Sequence, residues 1–237
     1  MNKVISISKP KSPIAEAYRG IRTSIEFANL DKEIKVINIT SSKQNEGKTT
    51  VVANLAVSFA NLEKKVLILD GDLRNPSIHR MFGISNIQGL TDVLVNNKTF
   101  VECVHCTDTK NLHVLTCGQI PPNPSEMLSS KKMREFVQSL REHYDYIFID
   151  APPIGIVTDA GIISTYTDGT LFVVGSNEAD SEMAKISKER LDNVGANILG
   201  TVLNKFEVNG SGYDYYNYYY QESERSSRSS RNKKKKK

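Results

Sequence analysis

Six short runs rich in β-branched and apolar residues recur along the chain: KVINIT (35–40), KKVLILD (64–70), NLHVLT (111–116), YDYIFID (144–150), TLFVVG (170–175) and ILGTVLN (198–204). Between them lie segments with helical spacing, among them TTVVANLAVSFANLE, SSKKMREFVQSLREHY and SEMAKISKERLDNVG. Strands apolar on both faces must be covered on both faces, and their alternation with helices requires a mostly parallel sheet with right-handed crossovers. The predicted class is therefore α/β, a mostly parallel sheet flanked by helices on both faces. Its 237 residues, 39% hydrophobic and 24% charged, suffice for one substantial domain.

The first run leads into SKQNEGKT (Ser42 to Thr49), and a helical pattern follows. That strand–loop–helix context is the one a phosphate-binding P-loop needs, with Ser42 in place of the leading glycine. Free N–H groups of such a loop and its helix cradle anionic phosphates. Lys48 would neutralise the β- and γ-phosphates, and the Thr49 hydroxyl would ligate Mg²⁺. Asp70 ends the second run, with Asp72 two residues beyond it, and Asp150 ends the fourth. Carboxylates there face the crevice where open α/β sheets bind ligands. One would hold the metal through its water shell, and a second could take a proton from an incoming hydroxyl.

Outside this core the chain changes character. Residues 1–12 read as an irregular arm, after which Ser12-Pro13 offers an N-cap and a first-turn proline for the helix IAEAYRGIRTSIEFAN. Within it Glu16, Arg19 and Arg22 share one face, by themselves an ordinary solvated surface with one weak ion pair. The boundaries expected are an N-terminal arm and helix (1–30), a P-loop domain (31–207) and a flexible tail (208–237). The tail holds six of the ten tyrosines, Tyr213, Tyr215, Tyr216, Tyr218, Tyr219 and Tyr220, and ends on NKKKKK. From Tyr213 onward eight Lys/Arg oppose three Asp/Glu, a net +5 that leaves the preceding residues at −1. A near-neutral domain argues against a nucleic-acid face. The lysine run reads either as a solvated charge run or as an attraction to an anionic leaflet.

No run approaches the roughly 18 apolar residues of a membrane span and the N-terminus has no apolar h-region, so a cytoplasmic location is expected. Cys103, Cys106 and Cys117 are not expected to form disulfides, and Cys103-Val104-His105-Cys106 matches a metal or redox pair in spacing only.

Taken together, GKTT, LDGDLRNPSIHRMFG, GLTDVL, IPPNPSEMLSS, YDYIFIDAPPIGIVTDA and the terminal tyrosines resemble the bacterial tyrosine kinases of capsule and exopolysaccharide synthesis, a branch of the MinD/ParA-like P-loop ATPases. The resemblance spans nearly the whole chain. It implies a P-loop NTPase fold, ATP and Mg²⁺ as cofactors, and autophosphorylation of the tail tyrosines. It assigns Asn45, Glu46, Gly47, Lys48, Thr49 and Thr50 to ATP, Lys48, Asp70 and Asp72 to catalysis with Asp70 as candidate base, and Thr49, Asp72 and Asp150 to the metal. Asn204 and Lys205 stand where relatives contact adenine, although either also suits a strand-terminating turn. Glu16, Arg19 and Arg22 match the family's subunit-contact motif for a homo-oligomeric ring. The implied partners are a transmembrane polysaccharide co-polymerase adaptor, which recruits the kinase to the inner face of the plasma membrane, and an antagonistic tyrosine phosphatase.

The chain departs from the family at the loop's centre, where Gln44-Asn45-Glu46-Gly47-Lys48 replaces Pro-Gly-Glu-Gly-Lys. Any positive φ there must be borne by Asn45, at a cost of about 1 kcal/mol. The rival reading is a partitioning or scaffolding ATPase of the same fold, with water as nucleophile. The tyrosine cluster separates the two, because such an ATPase has no need of it.

Overall fold

Parallel pairing of the apolar runs organises the molecule. The computed structural model describes residues 4–30, 33–95, 97–176 and 180–206. In chain order the elements are α1 (Ile5–Ser8), α2 (Pro13–Ala28), β1 (Val36–Ser41), α3 (Lys48–Ala60), β2 (Val66–Asp70), α4 (Ile78–Phe82), α5 (Leu90–Leu94), α6 (Phe100–Cys103), β3 (Val104–Cys106), β4 (Leu112–Leu115), α7 (Pro124–Ser129), α8 (Lys131–Leu140), β5 (Tyr146–Asp150), α9 (Asp159–Ser164), β6 (Gly169–Gly175), α10 (Ser181–Asn193) and β7 (Ile198–Asn204). The chain divides into two units, Met1–Lys205 and Phe206–Lys237, and all these elements belong to the first. The tail tyrosines and the lysine run lie outside the described residues.

The strands form one seven-stranded sheet in the order β3-β4-β2-β5-β1-β6-β7. Every pair is parallel except β3 with β4. Alternation along β1 shows how both faces are covered. Ile37 and Ile39 join a core with Val51, Leu55 and Phe59 of α3, whereas Val36 joins one with Met133 and Val137 of α8 and Leu191 of α10. The ends of β1, β2 and β5 meet in the middle of the sheet, which brings residues distant in sequence to one edge.

The capping signal read at Ser12-Pro13 forms as a bond, and a second cap, unread in the sequence, opens α8. Ser12 Oγ accepts the Ala15 N–H at 3.1 Å with Pro13 opening α2, and Ser130 Oγ accepts the Met133 N–H at 3.1 Å to open α8. Two features differ from expectation. The supposed irregular arm contains α1, with Val4 buried and the Ser6 N–H donating to Asn54 Oδ1 of α3 at 2.8 Å. A buried anchor and a fixed backbone bond order it where local propensity alone would not. The stretch at Cys103–Cys106 closes α6 and forms antiparallel edge strand β3, so Cys103 is buried and Cys106 exposed. All three cysteines are free.

Candidate active site

The loop from β1 to α3 is built around two left-handed residues. Asn45 has φ 67° and Gly47 φ 91°. Asn45 thus carries the positive φ that a glycine would carry at lower cost. Gly47 is required twice over, because a Cβ there would stand 2.1 Å from Asn204 Nδ2. That amide donates to the Glu46 carbonyl at 2.8 Å, fastening the loop to the end of β7. Asn204 therefore braces the phosphate loop, and Lys205, with φ 56°, makes the chain's turn out of β7. Glu46 is fully buried, and its carboxylate accepts from the Ser42 hydroxyl and the backbone N–H groups of Lys43 and Gly175. Only its backbone is left for a ligand. Thr50, in the first turn of α3, gives its carbonyl to Asn54 Nδ2.

Beneath the loop the three strand-end carboxylates converge. Lys48 Nζ donates to Asp72 Oδ2 at 2.9 Å and to Asp150 Oδ1 at 3.2 Å. The Thr49 hydroxyl donates to Asp150 Oδ2 at 2.7 Å and lies 2.9 Å from Ser77 Oγ. Asp72 Oδ1 accepts the Asn75 N–H, and Asp70 Oδ2 accepts the N–H groups of Ser77 and Ile78 at 3.0 Å each. Among the described residues Asp70 Oδ1 is buried without a partner. A buried carboxylate oxygen in that state is a place where a proton or cation is favoured.

Charge is short in this cluster, because Lys48 faces three carboxylates while Arg74 is committed to a fourth. Burial, then the neighbouring Asp150 charge, push Asp70 up to about 8 despite the opposing Ile78 N–H and Lys48. Burial also raises Asp150, opposed by Lys48 and the Thr49 hydroxyl. For Lys48, burial disfavours the charge, but Asp150 and Asp72 outweigh it and hold the proton more firmly than usual. Thr49, Asp72 and Asp150 supply the hard oxygen donors that suit Mg²⁺. Among the described residues no three His, Cys, Asp or Glu form a complete ion cage.

Sequence reasoning missed a latch beside this cluster. Arg74 donates from Nε to Asp159 Oδ2 at 2.7 Å and from Nη2 to Asp159 Oδ1 at 3.1 Å and Ser125 Oγ at 2.8 Å. Ser125 Oγ in turn donates to Asp159 Oδ1 at 2.7 Å. The bidentate pair ties the loop carrying Asp72 to α7 and to the segment after Asp150. An arginine two residues beyond Asp72 was the available signal; its partner, 85 positions away, was not.

The motif on α2 lies apart from the site. Arg19 pairs with Glu16 and donates to the Pro10 carbonyl at 2.9 Å. Arg22 turns inward, donating to the Ser58 carbonyl at the end of α3 at 2.9 Å. The tail tyrosines, Tyr213 to Tyr220, lie outside the described residues.

Comparison with known proteins extends this picture. Residues 34–189 match an AAA domain family. The chain is 43% identical over 214 residues to tyrosine-protein kinase YwqD of Bacillus subtilis (strain 168), covering 90% of each chain. The crystal structure of the chimerical protein CapA2B2 superposes with a TM-score of 0.85 at 40% identity, covering 88% of this chain and 92% of that one. The kinase domain of Escherichia coli tyrosine kinase ETK gives 0.84 at 32% identity, covering 88% and 82%. The strand-end aspartates, the Gly47-Lys48-Thr49 turn and this likeness over nine-tenths of the sequence agree, and the chain belongs to the bacterial tyrosine-protein kinase family.

Proposed function

We propose that the protein transfers the γ-phosphoryl group of ATP to protein tyrosines, its own Tyr213, Tyr215, Tyr216, Tyr218, Tyr219 and Tyr220 among them, in the control of capsular or exopolysaccharide synthesis. The observation that carries the reading is the set of three strand-end carboxylates around Lys48 and Thr49. The backbone of residues 45–50 would receive the phosphates, which exchange with Asp72 and Asp150 as partners of Lys48. Thr49, Asp72 and Asp150 would hold Mg²⁺, which when bound neutralises phosphate charge. Asn204 and Lys205 border the loop and are the proposed base-side contacts, Asn204 through its remaining amide capacity. The phenol oxygen bonds to the γ-phosphorus as the bridging bond to ADP breaks, and the phenol proton passes to the carboxylate cluster. Asp70, in its ionised form and with Oδ1 unpartnered among the described residues, is suited to receive it. Little covalent chemistry is asked of the protein, so positioning and charge neutralisation supply most of the rate.

Each tail phosphate adds about −1.5 to −2 charge, so a few reverse the tail's net +5. We propose that transfer occurs between copies in a homo-oligomeric ring and loosens it, with Glu16, Arg19 and Arg22 at the contact. Arg22 would act from its seat on α3, and Arg19 and Glu16 directly. Charge reversal at Arg19 that left the mass unchanged in light scattering would contradict this contact. No described helix is long and apolar enough to cross a membrane, and the proposed route to the membrane's inner face is a transmembrane adaptor, with a tyrosine phosphatase resetting the cycle.

The test mixes a Lys48→Met acceptor with a donor whose six tail tyrosines are phenylalanine, in ATP and Mg²⁺. Phosphotyrosine on the acceptor is expected. Its absence, with ATP still consumed, would favour an ATPase that uses water.

A further inference from the structure

The acidic side chain within the phosphate loop has no part in the chemistry above. A carboxylate aimed at bound phosphates would repel them, so a loop that carries one must turn it away. Glu46 is buried and meets donors: Ser42 Oγ at 2.9 Å from both oxygens, the Lys43 N–H at 2.9 Å and the Gly175 N–H at 3.1 Å. Its carbonyl accepts Asn204 Nδ2 at 2.8 Å. One residue thus joins the loop to the ends of β6 and β7 as well as to its own β1. Ser42 is itself wedged, since a Cβ on Gly155 would lie 2.1 Å from the Ser42 carbonyl oxygen. The hydroxyl that both Glu46 oxygens accept belongs to the residue standing where a P-loop has its leading glycine.

We propose that Glu46 is a positioning residue that holds the phosphate loop ready before nucleotide arrives, with Ser42 as its partner. The inference rests on the nucleotide reading of this loop. Asn45 sits in a conformation that costs energy, and neither proline nor glycine stiffens or relaxes the turn there. A loop free to leave that conformation would bind nucleotide more weakly in proportion to the fraction of time it spent elsewhere. The pin removes those alternatives. Its chemistry also demands an acid: donors face both oxygens, and a glutamine would turn its NH₂ toward one set of them.

The test uses the full chain with ATP and Mg²⁺, measuring phosphotransfer against ATP concentration and the nucleotide-free melting temperature. Glu46→Gln should raise KM for ATP about tenfold and Ser42→Ala a few-fold, with kcat at saturating ATP within about threefold of wild type. A lowered melting temperature with unchanged KM would reduce Glu46 to a structural residue and overturn the proposal. So would a fall in kcat at constant KM, which would place the carboxylate in the chemistry. If Glu46→Gln does not fold, Ser42→Ala decides, since it removes only one hydroxyl: an unchanged KM there overturns the proposal. Absence of saturable ATP dependence in the wild type would instead sink the nucleotide reading itself.

Discussion

Carboxylates gather at both ends of the sheet, and the two ends treat them differently. At the end where β1 and β6 begin, Asp168 Oδ2 accepts the N–H groups of Lys35 and Val36 at 2.9 and 2.8 Å, and Oδ1 pairs with Arg141. Both oxygens are used and the charge is matched. At the other end Asp70, Asp72 and Asp150 lie buried around one ammonium, and Asp70 Oδ1 has no partner among the described residues. The first arrangement is complete without anything added, as expected of a group whose task is to hold strands. The second is complete only when positive charge or a proton arrives, as expected of a site that works on phosphates. Satisfaction, rather than burial or charge alone, separates the structural carboxylate from the functional ones.

Substitutions at the two ends should therefore act in opposite directions. Asp168→Ala strands two backbone N–H groups and Arg141, and should cost about 2–4 kcal/mol in denaturant unfolding while leaving kcat near wild type. A large loss of kcat in still-folded protein would erase the distinction. Asp70→Asn should do the reverse, abolishing most transfer while raising the melting temperature of the nucleotide-free protein in alkaline buffer. The sign follows from proton binding: the folded protein keeps to about pH 8 a proton that an unfolded aspartate releases near 3.8. Wild-type stability must then fall as pH rises through that window, and Asp70→Asn should flatten the slope, with a smaller gain at pH 5 than at pH 8. A gain that is equal at both pH values would argue against buried charge as its source. The smallest effect belongs to Asn45→Gly, which relieves a strained φ and should stabilise the loop by at most about 1 kcal/mol, tightening ATP binding a few-fold by titration.

Much of this was legible before any coordinates. All six apolar runs became strands, because hydrophobic alternation with helices reports burial directly. Asn45 was marked by chemistry, since a tight turn needs a positive φ that few residues accept. What stayed hidden depends on partners remote in sequence. β3 is three residues long and exists because β4 is beside it. Glu46 reads as part of the cradle until Gly175, 129 residues away, is brought against its carboxylate. Arg22 matches a surface motif, yet its guanidinium reaches Ser58 across α3. Asp168 carried no signal at all: an aspartate in a turn is commonplace, and only the meeting of β1, β6 and the end of α8 shows what it holds.

The most direct measurement follows the label of γ-labelled ATP through wild type, Lys48→Met and Asp168→Asn under identical conditions. The account predicts label on the tail tyrosines of wild type and Asp168→Asn, and its loss by about a thousandfold or more in Lys48→Met, whose cluster is left without its cation. Label appearing only as free phosphate, or undiminished on tyrosine in Lys48→Met, would contradict it.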